Sequence, residues 1–521
     1  MMAGFPMSST HDIGEARQRL AAAYDPARYR QAAHAVVDLL ADYLARAASS
    51  TTHVLNWRPP LENVREAGDA LRRFEGLSAA EPATPEQFVS RVRELATLAV
   101  SRGQTLHDPR YVGHQVPPPL PIAAVFEAIA SATNQAMAIY EMGPWATGVE
   151  ETLVSELGEA IGFPRGSFAG FITSGGSLAN LTALLTARNV ALGDVWRTGL
   201  SGGTGAAPVI VAHAEAHYCI ARAAGVLGIG SQQVIKAALD ERQRIDVPAL
   251  EGQLRDLRAQ GRPIIAVVAS ACTTRTGAFD ALPAIADVCA AHKVWLHVDA
   301  AHGGAACLSP RHRHLVEGLH RADSVVLDAH KMLHVPALCT FVFYRDAAHR
   351  FSAFEQDAPY LFDPARPGLA EFDSGLKTVE CTKRAAGFGL WAVWSLFGRG
   401  LFADIVDVTF ETTKRFHAML RAEPDFRTLH EPQCNILVFR HTPAALSGAP
   451  PDELGAFQWE LRRCVIESGA FYLVPGKDQG VGALRVVITN PLTTETHLRR
   501  LLHTLREEGK ALLQSERFRH A

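Results

Sequence analysis

Cysteine is sparse in this chain, and the cysteines that occur are scattered along it. Eight cysteines are found among 521 residues, and none of them forms a C-x-x-C pair. A chain of this length buries enough apolar surface to fold without disulfide staples. We therefore expect reduced, mostly buried thiols, as in a cytoplasmic protein.

An excess of one charge and long apolar runs are also missing. The formal net charge is −3, from 51 basic and 54 acidic residues, and the two signs are interspersed. This balance gives no electrostatic reason to expect a nucleic-acid or membrane partner. No apolar stretch free of charges and helix breakers reaches about 18 residues, the length that suggests a membrane-spanning helix. The N-terminus lacks a basic segment followed by an apolar one, so we expect no secretory signal.

The first hundred residues are typical of helices and carry no strand signal. Residues 27–47 place apolar side chains at helical spacing. Thr84, Pro85 and Gln87 predict an N-cap, a first-turn proline and a capping partner for a helix that runs to about Ser101. We therefore predict a helical arm over residues 1–105, whose apolar face needs a partner surface.

After the arm, short apolar runs alternate with helical stretches. The strand candidates are Phe168–Ile172, Pro208–Ala212, Gln233–Ala237, Ile264–Ala269, Val294–Val298, Ser324–Leu327 and Cys339–Tyr344. This alternation predicts a mostly parallel sheet with helices on both faces, within a large domain at 106–398. Helical patterns at 375–396 and 402–420 precede strand-like residues 435–439 and 484–488. Together they predict a smaller α+β domain at 399–521.

A glycine-rich turn opens one of the predicted helices. Thr173-Ser174-Gly175-Gly176-Ser177 follows a strand candidate. Glycine lets the backbone approach an anion, the helix N-terminus offers free N–H groups, and Ser177 adds a hydroxyl. The segment is neither a Walker motif nor G-x-G-x-x-G. Taken alone, it fits an ordinary glycine turn with a serine cap at least as well as a phosphate site.

An acid and a lysine follow two further strand candidates. Asp299 directly follows the apolar strand at 294–298, and α/β sheets bind ligands at the carboxyl ends of their strands. A carboxylate that only caps a helix or lies in a loop would give the same sequence pattern. Lys331 follows the strand at 324–327 between apolar and histidine residues, which suggests burial; burial lowers the pKa of a lysine and makes its amine a nucleophile. A phosphate turn, an acid and a lysine in this order match the needs of pyridoxal phosphate (PLP), which are an anion cradle, a partner for the pyridinium N–H and an amine for the aldehyde. His330 and His334 have metal-ligand spacing, but a third ligand is missing, so we expect no metal.

The sequence resembles the group II PLP-dependent amino-acid decarboxylases, a family of fold type I. The matching blocks are DPRYVGHQ at 108–115, YEMGP at 140–144, SGGSLANLTALLTAR at 174–188, AEAHY at 214–218, ACTTRTGAFD at 271–280, HVDAAHGG at 297–304, DSVVLDAHK at 323–331 and LRVVITNP at 484–491. They cover nearly the whole chain from about residue 28. The resemblance implies a seven-stranded PLP-binding domain, a small C-terminal domain, and a homodimer in which the N-terminal arms are swapped.

The resemblance also implies the cofactor contacts. Lys331 resembles the Schiff-base lysine, and Asp299 resembles the carboxylate at the pyridinium nitrogen. His217 resembles the imidazole that stacks on the cofactor ring. The other implied cofactor positions are Gly176 and Ser177 at the phosphate, Ala301 against the second ring face, His330 beside the lysine, and Thr273 near the cofactor. For Thr273, a strand-end hydroxyl with no cofactor role explains the residue equally well.

The activity implied by the resemblance is α-decarboxylation of an L-amino acid to the corresponding amine. Residues 351–363 resemble the family's mobile catalytic loop, and Tyr360 resembles the tyrosine that protonates the substrate Cα after CO₂ is lost. A tyrosine that only packs in a loop is the alternative. His114 and Gln115 fall at substrate-pocket positions, and Arg485 falls near the substrate or the catalytic loop, where it would bind a carboxylate or only brace the loop. Together the three residues hint at a polar or acidic substrate.

Two departures from the family pattern leave the substrate open. Leu178 stands where animal relatives often carry a polar residue, and His302 replaces a frequent tyrosine. One alternative function keeps PLP but ends in oxidative deamination to an aldehyde or in transamination, and Tyr360 and His217 argue against it. The other is an inactive, decarboxylase-like regulatory binder, against which the retained Lys331, Asp299 and Tyr360 argue.

Overall fold

The computed structural model describes residues 13–73, 84–200, 205–355, 370–515 and 518. The described chain forms two compact units. One unit consists of the described residues up to Tyr111 together with Arg463–Tyr472. The other consists of Val112–Arg462 together with the described residues from Leu473 onward.

The first unit is helical, as the sequence predicts. Its helices are α1 (Ile13–Ala23), α2 (Pro26–Ala48), α3 (Pro60–Arg73) and α4 (Pro85–Ser101). Helix α4 begins with the predicted capping box, in which the Thr84 side chain accepts from the Gln87 N–H and the Gln87 side chain accepts from the Thr84 N–H. Helix α2 packs against α4. Several apolar side chains of α1 to α3 and their connections remain exposed, among them Tyr24, Leu61 and Leu71.

The second unit is built on a seven-stranded sheet. Its strands are β1 (Ala169–Thr173), β2 (Val209–His213), β3 (Val234–Ala237), β4 (Ile264–Ser270), β5 (Trp295–Asp299), β6 (Ser324–Asp328) and β7 (Thr340–Tyr344). They are arranged in the order β1-β7-β6-β5-β4-β2-β3. Strand β7 is antiparallel to both of its neighbours, and the other pairs are parallel. The mostly parallel seven-stranded sheet predicted from the sequence is confirmed.

Helices cover both faces of this sheet. They are drawn from α5 (Pro121–Thr133), α6 (Pro144–Ile161), α7 (Gly176–Leu192), α8 (Val195–Thr198), α9 (Cys219–Val226), α10 (Val247–Ala259), α11 (Leu282–Ala291), α12 (Phe388–Phe397) and α13 (Gly400–Ala422). Successive residues of β2 point into different apolar clusters, with Val209 and Val211 in one and Ile210 and Ala212 in the other. This alternation follows from the period of two along a strand and gives the sheet a core on each face.

A second, four-stranded sheet follows in the chain. Its strands are β8 (Phe426–Thr428), β9 (Ile436–His441), β10 (Val474–Asp478) and β11 (Val481–Val487), and the remaining helices are α14 (Pro451–Glu467) and α15 (Glu495–Leu513). The strands pair antiparallel in the order β10-β11-β9-β8. The sequence predicts β9 and β11 but misses β8, which has three residues, and β10, which contains a proline and a glycine.

The helix predicted over 375–396 is wrong in its first half, since α12 begins only at Phe388. The preceding segment carries two buried lysines whose ammonium groups need acceptors. Lys383 Nζ lies 2.5 Å from Glu150 Oε1 and 2.8 Å from the Ile172 carbonyl oxygen. These contacts with α6 and β1 determine the backbone path in place of a regular helix.

Within the described ranges, no single helix is both long and apolar enough to cross a membrane. Helices α12 and α13 meet that requirement only as a pair, and the two are bent by 95° at their junction.

Candidate active site

A cavity of about 170 Å³ lies where β4, β5 and β6 end and α7 begins. Parallel strands bring their carboxyl ends to the same edge of a sheet, which is where α/β proteins form ligand sites. The cavity is lined by Gly176, Ser177, Asn180, His217, Cys219, Cys272, Thr274, Asp299, Ala301, His302, Asp328 and Lys331. Six of the residues predicted as cofactor contacts therefore meet here, from four separate parts of the chain.

Lys331 lies in the turn between β6 and β7. Its Nζ is 3.0 Å from Asp328 Oδ2. Thr340 donates a hydrogen bond of 2.6 Å to Asp328 Oδ1. Burial lowers the pKa of Lys331, but the carboxylates of Asp328 and Asp299 outweigh burial and raise this pKa above its ordinary value. The expectation that burial lowers the pKa of Lys331 is therefore wrong for this cavity. Asp328, which pairs with the lysine, is a site residue that was not predicted from the sequence.

Asp299 is the last residue of β5. Its Oδ1 accepts a hydrogen bond of 3.2 Å from the Ala301 backbone N–H. Burial raises the pKa of Asp299, and the Lys331 ammonium partly offsets that rise. A cationic ring N–H placed against this carboxylate would compensate its desolvation, which is the partner that a pyridinium offers.

His217 lies just before α9 and contributes to the cavity wall. Its Nδ1 accepts a hydrogen bond of 3.3 Å from the Cys219 N–H. Burial lowers the pKa of His217. The imidazole is therefore a flat, uncharged surface at neutral pH.

The glycine turn forms the end of the cavity where α7 begins. Gly175 has φ of +109°, a conformation that suits glycine. A Cβ on Gly176 would lie 3.1 Å from both carboxylate oxygens of Asp328. No side chain caps α7 at Gly175, and the Leu178 N–H donates to the Gly175 carbonyl oxygen, so the N–H groups of Gly176 and Ser177 are the ones that face an anion. An uncapped helix N-terminus, a buried carboxylate and an amine around one cavity form a donor set that fits PLP.

Two predicted cofactor residues lie beside the cavity and not among its lining residues. Thr273 Oγ1 is 3.2 Å from Thr276 Oγ1 and accepts from the Ala278 N–H, so it is engaged in its own turn. Thr274 lines the cavity instead. His330 Nδ1 lies 3.0 Å from the Cys339 carbonyl oxygen.

Arg485, on β11, is a buried cation. Neither its Nε nor its Nη2 has a hydrogen-bond partner within the described residues. Burial lowers the pKa of Arg485 to about 10, which leaves the guanidinium charged at neutral pH. Its charge acts on His114 and on His302, and burial is the larger cause of the lowered pKa in both. The buried Nε2 of Gln115 likewise lacks a partner in the described part of the chain. Arg485 therefore acts electrostatically on the cavity residue His302 without itself lining the cavity. The predicted catalytic residue Tyr360 lies outside the described residues.

A family model places this geometry among known proteins. The model for the pyridoxal-dependent decarboxylase conserved domain matches residues 73–442, which is more than half of the chain. The chain belongs to the pyridoxal-dependent decarboxylase family. This decarboxylase therefore uses PLP to remove CO₂ from an amino acid, as the resemblance implied.

Individual relatives agree with the family assignment. Human acidic amino acid decarboxylase GADL1 is 30% identical over 409 residues, which are 78% of this chain and 76% of that protein. The crystal structure of mouse CSAD superposes with a TM-score of 0.81 at 27% identity and covers 93% of this decarboxylase and 99% of CSAD. The crystal structure of Oryza sativa TDC with PLP and tryptamine has a TM-score of 0.81 at 24% identity. The match covers 94% of this chain and 99% of the TDC chain. These neighbours confirm the predicted fold type I architecture.

Proposed function

We propose that this decarboxylase converts an L-amino acid with an acidic side chain into the corresponding amine. The observation that carries the proposal is the buried Arg485 guanidinium, with two N–H-bearing atoms that lack partners among the described residues. A buried cation is costly unless an anion meets it, and a guanidinium binds a carboxylate with two parallel hydrogen bonds. The relative GADL1 is an acidic amino acid decarboxylase, which supports the same substrate class.

The surroundings of Arg485 favour a second carboxylate as well. The charges of Arg485 and Arg462 both act on His114, which shows that cationic groups converge near this residue. Gln115 adds an amide N–H that has no partner in the described residues. An acidic amino acid supplies two carboxylates, one on Cα and one on the side chain, so such a substrate matches a cationic pocket better than an aromatic one does.

We propose that Lys331 holds the cofactor covalently and that Asp299 accepts a hydrogen bond from its ring nitrogen. PLP supplies the aldehyde for this amine and a ring that accepts the electron pair left behind when CO₂ departs. Asp299 keeps a proton on the ring nitrogen, because a buried carboxylate is stabilised by a cation beside it. His217 supports one ring face, and Ala301 leaves room at the other.

The remaining cofactor contacts follow the cavity. Gly176 and Ser177 offer backbone N–H groups at the start of α7 for the phosphate. His330 and Thr273 lie behind the lining, so we propose that they brace the turns that carry Lys331 and Thr274. Tyr360 delivers a proton to the substrate Cα in a site from which water is excluded, and this role rests on the family resemblance.

We also propose a cytoplasmic homodimer with three parts. Residues 1–105 form the dimerisation arm, residues 106–398 the PLP domain and residues 399–521 the small domain. The exposed apolar side chains of α1 to α3 support a surface that a second copy covers. All eight cysteines are unbridged, which supports a reducing compartment, and the net charge of −3 offers nothing to nucleic acid or membranes.

An amino-acid panel tests the substrate proposal. Purified enzyme is given aspartate, glutamate, cysteine sulfinate, DOPA, tyrosine or tryptophan, and CO₂ release is measured. We expect kcat/KM for the best acidic substrate to exceed that for any aromatic substrate by about tenfold or more. Activity on aromatic amino acids alone would contradict the proposal. Ammonia and peroxide formed in step with CO₂ would favour the aldehyde-forming alternative.

Borohydride reduction tests the cofactor proposal separately. Reduced protein is digested and the cofactor-bearing peptide is identified by mass spectrometry. We expect the label on the peptide that contains Lys331. The absence of a reducible adduct would instead support the inactive regulatory binder.

A further inference from the structure

We propose that Asp328 keeps Lys331 in its ammonium form in the cofactor-free protein, and that a phosphate group arriving at the start of α7 drives the proton from Lys331 onto Asp328. This inference rests on the proposed PLP site and deepens it, because it states how the lysine becomes reactive. Its consequence is selectivity: an aldehyde that carries a phosphate activates the lysine, whereas one without a phosphate does not.

The position of Asp328 between two parts of the site is the main evidence. Its Oδ2 lies 3.0 Å from Lys331 Nζ. Its Oδ1 accepts from Thr340 at 2.6 Å, which fixes the orientation of the carboxylate. Both oxygens also lie 3.1 Å from the position that a Cβ on Gly176 would take, so the carboxylate faces the first turn of α7. One side chain therefore contacts the amine nucleophile and borders the proposed phosphate site.

The charges around Asp328 decide which form each group takes. Several groups act on Asp328 or lie against it. They are Lys331 and His330 in the following turn, Cys339 just before β7, Thr340 at its start, Asp299 at the end of β5, and His217, Cys219 and His302 on the cavity wall. Burial lowers the pKa of His217, and lowers that of His302 to about 3, so both rings are neutral. Two carboxylates then share the Lys331 ammonium, which cannot attack an aldehyde because its lone pair binds a proton.

A phosphate beside Asp328 reverses which of the two groups, Lys331 or Asp328, holds the proton. It brings a charge of about −1.5 to −2 to the turn that Asp328 borders, and a nearby negative charge raises the pKa of a carboxyl group and of an amine alike. Asp328 contacts Gly176 in that turn and also contacts Lys331, so the rise is larger for Asp328 and the proton moves onto it. The N–H bond of Lys331 that points at Oδ2 breaks, and an O–H bond forms on Asp328. The lone pair freed on Nζ forms the C–N bond to the aldehyde carbon, and the aldehyde oxygen leaves as water with the two protons that remain on Nζ. Asp328 is then a neutral acid, and its O–H can donate to the phosphate.

The test compares aldehydes with and without a phosphate on cofactor-free protein. Wild type and Asp328→Asn are mixed with PLP, with pyridoxal, or with pyridoxal plus inorganic phosphate. Covalent attachment to Lys331 is trapped with borohydride and followed over time by mass spectrometry. For wild type at neutral pH, we expect inorganic phosphate to accelerate the pyridoxal reaction by about tenfold or more. For Asp328→Asn, we expect rapid reaction with pyridoxal alone and little further effect of phosphate, because burial now lowers the pKa of Lys331.

Two further variants keep the test decisive. Asp323→Asn is the matched control and should keep the wild-type dependence on phosphate, because Asp323 lies just before β6 and is not among the lining residues of the cavity. Thr340→Val removes the hydrogen bond that orients Asp328, so it should lose part of that dependence even if Asp328→Asn does not fold. Equal phosphate dependence in wild type, Asp328→Asn and Thr340→Val would overturn the inference. Failure of the underlying PLP proposal would look different, since wild type would then carry no label on Lys331 even with PLP.

Discussion

His297 Nε2 lies 2.8 Å from Asn180 Oδ1, and this contact joins the buried centre of the large sheet to the first turn of α7. Trp295 donates to Ser324 Oγ, which lies 2.8 Å from His297 Nδ1. Asn180 in turn donates to the Gly176 carbonyl oxygen at 2.8 Å. Burial lowers the pKa of His297 to about 3, so the neutral ring offers one donor and one acceptor. The hydrogen bonds therefore run in one direction, from Trp295 to the turn proposed to hold phosphate.

Asn180→Ala should weaken cofactor binding. The substitution leaves the buried His297 N–H without an acceptor, a loss of about 1–3 kcal/mol in the free energy of unfolding. It also releases the Gly176 carbonyl, so the turn is held less firmly. We expect the dissociation constant for PLP, measured by absorbance titration, to rise about fivefold or more.

Asn189→Ala is the matched control for this prediction, because Asn189 lies near the other end of α7. Its side chain donates to the Ser352 and Ala353 carbonyl oxygens. We expect Asn189→Ala to lower stability with an unchanged PLP dissociation constant. A wild-type dissociation constant in Asn180→Ala would show that the chain of hydrogen bonds does not position the turn.

The buried histidines should make the protein sensitive to acid. Burial lowers the pKa of both His297 and His302 to about 3 in the folded protein, whereas the unfolded chain titrates near 6.5. Below about pH 6.5 the unfolded chain therefore binds protons that the folded protein does not. Stability is fully present above that pH and is lost as the pH falls, by about 1.4 kcal/mol per pH unit for each histidine.

Urea unfolding at neutral pH and at about pH 5 measures this effect. We expect His302→Asn to lose less stability between the two conditions than wild type, by about 2 kcal/mol. His503→Asn, at an exposed position, should behave like wild type. An unchanged pH dependence in His302→Asn would be evidence against its burial as a neutral ring.

Arg485→Met should lower the activity on acidic substrates and leave PLP binding unchanged. The variant removes two charge-assisted hydrogen bonds to a carboxylate, each worth about 1.5–3 kcal/mol. We expect kcat/KM for the preferred acidic substrate to fall by about a hundredfold or more, with an unchanged PLP absorbance spectrum. Arg485→Lys should recover only part of this loss, because an ammonium cannot bind a carboxylate in a bidentate manner. Full activity in Arg485→Met would remove Arg485 from the substrate pocket.

Gly176→Ala should disturb the site through contact with Asp328. The added methyl group would lie 3.1 Å from both carboxylate oxygens, a distance that forces the side chain or the turn to shift. We expect weaker PLP binding in a titration and slower attachment to Lys331. Gly148→Ala is the control, since a Cβ at this exposed position of α6 meets nothing within 4 Å. That control should raise stability by about 1 kcal/mol and leave PLP binding unchanged.

The cavity could be predicted because most of its chemistry follows strand candidates. Gly176, Asp299 and Lys331 each come shortly after an apolar run, and a parallel sheet brings such positions to one edge. Asp328 was missed because, at the end of such a run, it looks like an ordinary last residue of a strand. Its contact with Thr340 depends on the turn back into β7, which sequence spacing does not reveal. The available signal was a carboxylate three residues before the lysine.

The segment before α12 shows why the helix predicted over residues 375–396 is wrong in its first half. Its apolar spacing favours a helix, yet Lys377 and Lys383 are buried there. Lys377 Nζ lies 3.4 Å from Glu151, and Lys383 pairs with Glu150, both on α6. Partners so distant in the chain override helix propensity, because an unpaired buried ammonium costs more than a lost helical turn.

The pairing of β1 with β7 has a consequence for protein synthesis. Ala169 lies opposite Tyr344, so β1 finds its hydrogen-bonded neighbour only after the ribosome has made the chain through β7. Pairings between distant parts of a chain form late and slowly. The glycine turn that follows β1 therefore gains its fixed position only after Lys331 has emerged. Cofactor capture thus requires synthesis of the chain through β7, and a chain that stalls before that strand leaves β1 with an unpaired edge.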